Sequence, residues 1–279
     1  VEVALSTRNV HTKNFMWTTN FNFAYNNNKV LKEALREDAL EPGREGYPVG
    51  ALFALKTAGL DEEGYPMFQD KDGKAVSAME FFKLQEWGFG ATDLTARERR
   101  ELYTYVGTAD CPYTGGFNNT FTYKAFELGV NFSFDFGGKV RSQPTYSIVD
   151  FDKGRNTNRD ILNRWTPENT ETIFPVLLSQ NERLDEYMWY SNQNEIYRNL
   201  DIWIRDLNYV RLQNIRLGYT LPTNFSRTLG MTSATVAIEG RNLLVFGSSY
   251  KNYLDPETMS NAYATPAPKS VTLSLNLIF

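Results

Sequence analysis

The chain has 279 residues, 42% apolar and 14% aromatic, enough for a sizeable core in one or two domains without choosing a fold. A formal charge of −4 with no basic block excludes the electrostatic footprint of a nucleic-acid binder. A single Cys and a single His exclude an internal disulfide and a multi-histidine metal site, and no run of about eighteen apolar residues offers a membrane-spanning helix.

The opening residues VEVALSTRNV do not read as a signal peptide, because no long apolar stretch follows a basic one. Val1, Val3 and Leu5 instead alternate with Glu2, Ala4 and Ser6, the period of a strand with one apolar face. A polar turn is expected from Asn9 to Asn14, and FMWTTNFNFAY then sets Phe15, Trp17, Phe21, Phe23 and Tyr25 opposite Asn20 and Asn22. The long connection that follows contains VLKEALRED (30–38) and SAMEFFKLQEW (77–87), both expected as short amphipathic helices, and TARERREL from Thr95 as a third. Between them an extended segment leads to a small hairpin turning at Asp72-Gly73.

FNNTFTY (117–123) and AFELGVNFSFDF (125–136) follow as a hairpin. In the latter Phe126, Leu128, Val130, Phe132, Phe134 and Phe136 alternate strictly with Glu127, Gly129, Asn131, Ser133 and Asp135. After a second long connection, NYVRLQNIRLGYTL pairs with ATVAIEGRNLLVF. The apolar phase of the first slips between Leu212 and Ile215, which predicts a β-bulge near Gln213 and Asn214. The terminal SVTLSLNLIF alternates Val271, Leu273, Leu275, Leu277 and Phe279 with polar residues, bringing the count to about seven strands.

The fold class is therefore all-β. Connections alternate between short and long, and long ones recur on one edge, which is rare in compact soluble domains and regular in outer-membrane barrels with short periplasmic turns and long outer loops. Phe15, Trp17, Tyr123, Phe126, Tyr219 and Phe279 fall near the short-turn end and Tyr25, Phe136 and Phe246 near the other, as two interfacial belts require. A β-sandwich core is also aromatic, so the soluble alternative stays open at this point.

Little catalytic chemistry is available. His11 is expected in the polar turn, which argues against a Ser-His-Asp or Cys-His arrangement, and Gly88-Phe89-Gly90 lacks the third glycine of a nucleotide loop. Asp70, Asp72 and Gly73 resemble the start of a calcium loop, yet the distal position holds Phe81 instead of Glu, so a plain turn is favoured. Carboxylate pairs such as Asp150 with Asp152, or Asp61 with Glu62 and Glu63, read as solvated loop residues more readily than as glycosidase groups. No cofactor or metal is expected.

DIWIRDLNYVRLQNIRLGYTLP (201–222) resembles the SusC-like (RagA-type) family of TonB-dependent outer-membrane transporters of Bacteroidetes, and GRNLLVF, YLDPE and a terminal strand ending in Phe follow in the family's order. GYPVGALFALKTAGLDEEGYP, the DKDG turn and YTGGFNNTFTYKAFELGVNFSF are similar to its late barrel strands. The resemblance implies that residues 1–279, with no internal domain boundary, are the C-terminal part of a 22-stranded transmembrane barrel whose plug domain and earlier strands lie outside this chain.

It further implies energised import of a glycan or peptide oligomer with a SusD-like lipoprotein lid and a TonB partner, long loops outside the cell and the C-terminus in the periplasm. The strand carrying Leu275, Leu277 and Phe279 would then face lipid and be read by barrel-assembly machinery. Asn20, Asn22, Asn118, Glu127, Asn131, Asp135, Glu239 and Arg241 are expected to line a polar lumen around the plug. Trp189 and Tyr190, with Arg183 and Asp185, are the candidate cargo contacts, because aromatic faces stack on sugar rings or peptide side chains; packing of DEYMWY within its own loop, or against the lid, is the alternative. A passive porin-like or structural barrel and a soluble β-sandwich binding module are the competing functions, and an enzyme is not expected.

Overall fold

The computed structural model describes residues 1–85, 91–142, 154–155, 159–177, 198–247, 255–258 and 264–279. Seven strands form one antiparallel sheet in chain order: β1 (Glu2–His11), β2 (Phe15–Tyr25), β8 (Tyr113–Tyr123), β9 (Phe126–Arg141), β10 (Ile204–Thr220), β11 (Ser233–Phe246) and β12 (Ser270–Ile278). Each neighbour in sequence along this sheet is a neighbour in space, so the order follows from the hairpins that the alternating patterns announce.

Two strand limits differ from expectation. β1 runs to His11 instead of turning at Asn9, because a register shift between Arg8 and Val10 absorbs Asn9 as a bulge and returns Val10 to the ladder opposite Trp17. His11 thus ends a strand, paired with Met16, and the turn is confined to residues 12–14. β9 and β10, of 16 and 17 residues, are longer than the roughly 9–11 residues that cross a bilayer. The bulge predicted near Gln213 and Asn214 is present, and both ladders of β10 shift register between Leu212 and Asn214. The connection from β10 to β11 is not a tight turn, since it carries α3 (Thr223–Thr228).

The 26–112 connection folds on its own terms. β3 (Ala51–Leu55) pairs with β7 (Tyr103–Thr108), and β4 (Thr57–Leu60), β5 (Pro66–Gln69) and β6 (Ala75–Val76) make a small meander. The β5–β6 hairpin turns at Asp72-Gly73 as expected: Asp70 accepts from the main-chain N–H of Asp72 and Lys74, which accounts for the carboxylate without a metal. α2 (Ala96–Glu101) opens on a capping box, Thr95 and Glu98 each satisfying the other's main-chain N–H. The other two helices are shorter or missing. α1 (Ala78–Phe81) is a single turn that ends where Lys83 takes a positive φ, and residues 30–38 are not helical. Leu31 and Leu35 of that segment are exposed, so its apolar stripe has no surface to bury against, and so short a helix is marginal alone.

The buried apolar core lies in this loop module. Phe68, Phe81 and Phe82 pack ring to ring with centroids 4.8–5.1 Å apart, joined by Leu55, Tyr65, Leu84, Leu200 and Trp203. Leu200 and Trp203 come from the end of the 142–203 connection: Leu55 N–H donates to Asn199, and Ser142 N–H to Trp203. Two long connections are thereby locked to each other and to the end of β9. Gly64 is needed here, since its φ is +85° and the Trp165 ring occupies the space a Cβ would fill.

Candidate functional site

Alternation and register give the seven-stranded sheet two unlike faces. On the apolar face Phe15, Tyr123, Phe126, Tyr219, Val236 and Leu275 stand in one row across six strands. Above them Trp17, Phe121, Leu128, Leu217, Ile238 and Leu273 form the next. Trp17 stacks on Phe121 at 5.6 Å and Phe117 on Phe132 at 4.7 Å, while the Phe126 and Tyr219 rings meet tilted with centroids 4.6 Å apart. At the other end Tyr25 and Phe136 flank Tyr113. Leu277 pairs with Ala234, and Phe279 lies beyond the last strand, 82% exposed.

This face has one polar interruption, which the periodicity does not reveal. Thr7, Asn9, Thr19 and Asn119 meet there, and each bonds to another: Thr7 donates to Asn9, Asn9 to Thr19 at 2.7 Å, and Thr19 to Asn119 at 2.6 Å. The Trp17 indole also donates to Asn119, at 3.0 Å. Such mutual satisfaction is what an environment without water demands of side chains that remain polar.

The opposite face carries a row of polar side chains through every strand. Ser6, Asn20, Asn118, Asn131, Asn214, Arg241 and Ser270 are successive register partners. Asn131 donates to Asn214 at 2.9 Å, while its own side-chain Oδ1 is buried with no bonding partner among the described residues. One step along, Asn22 falls beside Gly116 and Ser133. Nearer the short turns Glu127 pairs with Arg216 at 3.2 Å and Glu239 with Arg241 at 2.6 Å. All eight sequence candidates for a polar wall, Asn20, Asn22, Asn118, Glu127, Asn131, Asp135, Glu239 and Arg241, share this face.

Asp135 belongs to a cluster that sequence reasoning missed. Arg211, in register with Ser133, is 1% exposed because residues 255–258 fold back over it. Its Nε donates to Glu257 at 2.9 Å and an Nη to Asp255. The Tyr209 hydroxyl stands 2.5 Å from Asp135 and 3.1 Å from Glu257, so its proton serves the nearer carboxylate. Asp255 also accepts from the main-chain N–H of Glu257 and Ala267. Burial alone would raise the Asp255 carboxyl, but the Arg211 hydrogen bond and charge, with these N–H donors, hold it below its ordinary value. One guanidinium thus fastens the last long connection to the sheet wall. Arg211 sits in RLQN and the acids in YLDPE, two strings visible in the sequence whose meeting no periodicity could announce.

Trp203 is buried in the loop core. Arg183, Asp185, Trp189 and Tyr190 lie outside the described residues, as do Asp150, Asp152 and the Gly88–Gly90 glycines. An unforeseen aromatic group, Tyr47, Phe53 and Tyr105, stands on the loop module with centroids 4.8–5.9 Å apart. The Cys111 thiol is pushed up to about 11 by burial and the nearby Asp135 carboxylate, so it is no nucleophile at neutral pH. Among the described residues no group of three or more metal-ligating side chains forms.

No family model matches the chain. It is similar from end to end to named TonB-dependent receptors: 26% identical to TonB-dependent receptor P3 of Formosa agariphila, over all of this chain and 28% of that protein. To TonB-dependent receptor SusC of Bacteroides thetaiotaomicron it is 22% identical over 99% of this chain and 26% of the receptor. Among solved structures, that of the RagAB peptide transporter matches with a TM-score of 0.67 at 21% identity, covering 99% of this chain and 28% of that one. The RagAB peptide importer in its open-open state matches at 0.68. The fold is that of part of these barrels, and the chain spans just over a quarter of the length of the relatives it matches.

Proposed function

We propose that residues 1–279 form the C-terminal part of the barrel of an outer-membrane, TonB-dependent importer of the SusC kind. The observation that carries this reading is the two-faced sheet. Its apolar side, on which Val3, Leu5, Phe126, Leu217, Ile238, Leu273 and Leu275 are exposed together, exceeds the patch that a soluble monomer leaves to water. Its other side is polar through all seven strands, the alternation of a barrel wall between lipid and a wet lumen. The free edges of β1 and β12 would be completed by strands outside this chain, which removes the aggregation hazard of an open sheet. A β-sandwich module would instead cover the apolar face with a second sheet, whereas Leu217, Ile238, Leu273 and Leu275 of this face are exposed.

In this reading Phe15, Trp17, Tyr123, Phe126 and Tyr219 sit at the periplasmic interface, and the polar row faces a plug domain or water. The strand with Leu275, Leu277 and Phe279 is the element that assembly machinery reads. The long connections lie outside the cell, under a SusD-like lipoprotein, and cargo is an oligomeric glycan or peptide. Arg183, Asp185, Trp189 and Tyr190 remain the sequence-based cargo contacts. The relatives are named receptors and a peptide transporter, and the proposed activity is transport without catalysis.

The test is uptake of labelled oligosaccharides and oligopeptides by cells carrying the complete protein, with and without TonB. TonB-dependent uptake of either class supports import. Uptake that persists without TonB supports the porin-like alternative, and a protein recovered in soluble fractions overturns the barrel.

A further inference from the structure

We propose that a polar cavity at the junction of the long connections and the end of β9 binds a carboxylate group. The cavity, of about 150 Å³, is lined by Glu41, Arg44, Phe53, Tyr103, Arg141 and Asn199 among others. Those residues come from the 26–112 connection, from the last position of β9 and from the segment entering β10, so only the folded loop module creates the site.

Arg141 is the centre of the argument. One Nη donates to the main-chain carbonyl of Arg198 at 3.0 Å and the other to that of Phe53. Two main-chain acceptors on separate segments therefore fix the plane of the guanidinium, while neither neutralises it. Among the described residues no carboxylate lies within ion-pair distance of Arg141 or Arg44. Arg211, by contrast, is neutralised by two carboxylates of the chain itself, Asp255 and Glu257.

Among the described residues the cavity has two guanidinium groups against the single carboxylate of Glu41 at its exposed rim, a surplus of one positive charge. Asn199 donates to the Tyr103 hydroxyl at 3.2 Å, holding a second pair of polar groups at the same wall. A planar, fixed guanidinium with donors to spare is matched to a carboxylate. The volume suits one small charged group and not a whole oligomer, so the site would recognise the acidic end or side group of a longer ligand. A peptide carboxylate and an acidic sugar share this chemistry.

The inference concerns binding alone and stands or falls apart from the transport reading. The complete protein, purified in detergent, is titrated calorimetrically with N-acetyl-dialanine, its C-terminal amide, glucuronate and glucose. At least one acid is expected to bind about tenfold or more tightly than its neutral counterpart, the size of a charge-assisted hydrogen bond. Arg44→Gln, an exposed position that leaves the fold intact, should weaken the acid about tenfold, and Glu41→Gln should tighten it. Arg141→Gln should abolish binding, and Arg44→Gln keeps the test valid if that variant misfolds. Preference for N-acetyl-dialanine assigns the source as peptide, and preference for glucuronate as acidic sugar. If both acids bind no better than their neutral counterparts, or neither exposed substitution moves the affinity, the proposal is overturned.

Discussion

The seven-stranded sheet and the loop module bury apolar side chains by opposite rules. In the module Phe68 and Trp203 are 0% and 1% exposed, inside a core built from two connections far apart in sequence. In the sheet Leu273 is 76% exposed, and aromatic rings stack side by side across neighbouring strands. The first is organised to exclude water from within; the second, in the proposed reading, meets an apolar surrounding from without. A single chain that does both needs a sharp boundary, and β9 and β10 supply it. Their lower parts follow the alternating pattern, while Val140 and Arg141 at the end of β9, and Ser142 just after it, lie against the module.

The contrast can be broken from either side. The largest expected effect is in the module: Trp203→Ala or Phe68→Ala should cost about 3–5 kcal/mol of its local stability. Protease should then cut the 26–112 connection readily while the barrel keeps its heat-modifiable mobility in detergent gels. Nearly as large is Arg211→Ala, which leaves Asp255 and Glu257 without their cation. Removing one partner of such a buried pair costs about 3–5 kcal/mol, read here as protease access to residues 255–258.

The same contact gives a pH dependence. Because the folded Asp255 carboxyl is held below its unfolded value, its contribution is fully present above about pH 4 and is lost as the pH falls through the lowered folded value. Protease protection of that segment should follow this course in the parent protein, and Arg211→Ala, in which burial acts without the guanidinium, should lose it.

A smaller effect sharpens the comparison within the sheet. Val130→Lys puts a charge on the apolar face and should cost about 2–4 kcal/mol in bilayer folding assays, whereas Ser133→Lys, on the polar face of the same strand, should cost far less. Smallest is Thr95→Ala, which removes half of a capping box on an exposed helix and should lower module stability by about 1 kcal/mol with no change in the sheet.

What the sequence disclosed follows the same division. Strand number, order and even the bulge at Gln213 were legible, because period-two alternation is a local property and each hairpin places its own partner. The polar wall was legible for that reason too, residue by residue. That Asn20, Asn118, Asn131 and Asn214 fall in one row was not, since a row needs the register of three ladders at once.

The module was poorly legible. Residues 30–38 have a helical stripe and no helix, for want of a surface to receive it, while the one helix that matched, from Thr95, is fixed by its own cap. The Arg211 cluster escaped because its partners are 44 and 46 residues away along a connection with no period.

The account rests on the apolar face meeting lipid, and spin labels placed singly at positions 126–135 of β9, in a Cys111→Ser background in bilayers, test it most directly. The expected result is a strict alternation: even positions relaxed by lipid-soluble oxygen, odd positions by a water-soluble nickel complex. Water accessibility at both parities, or no alternation at all, would contradict it.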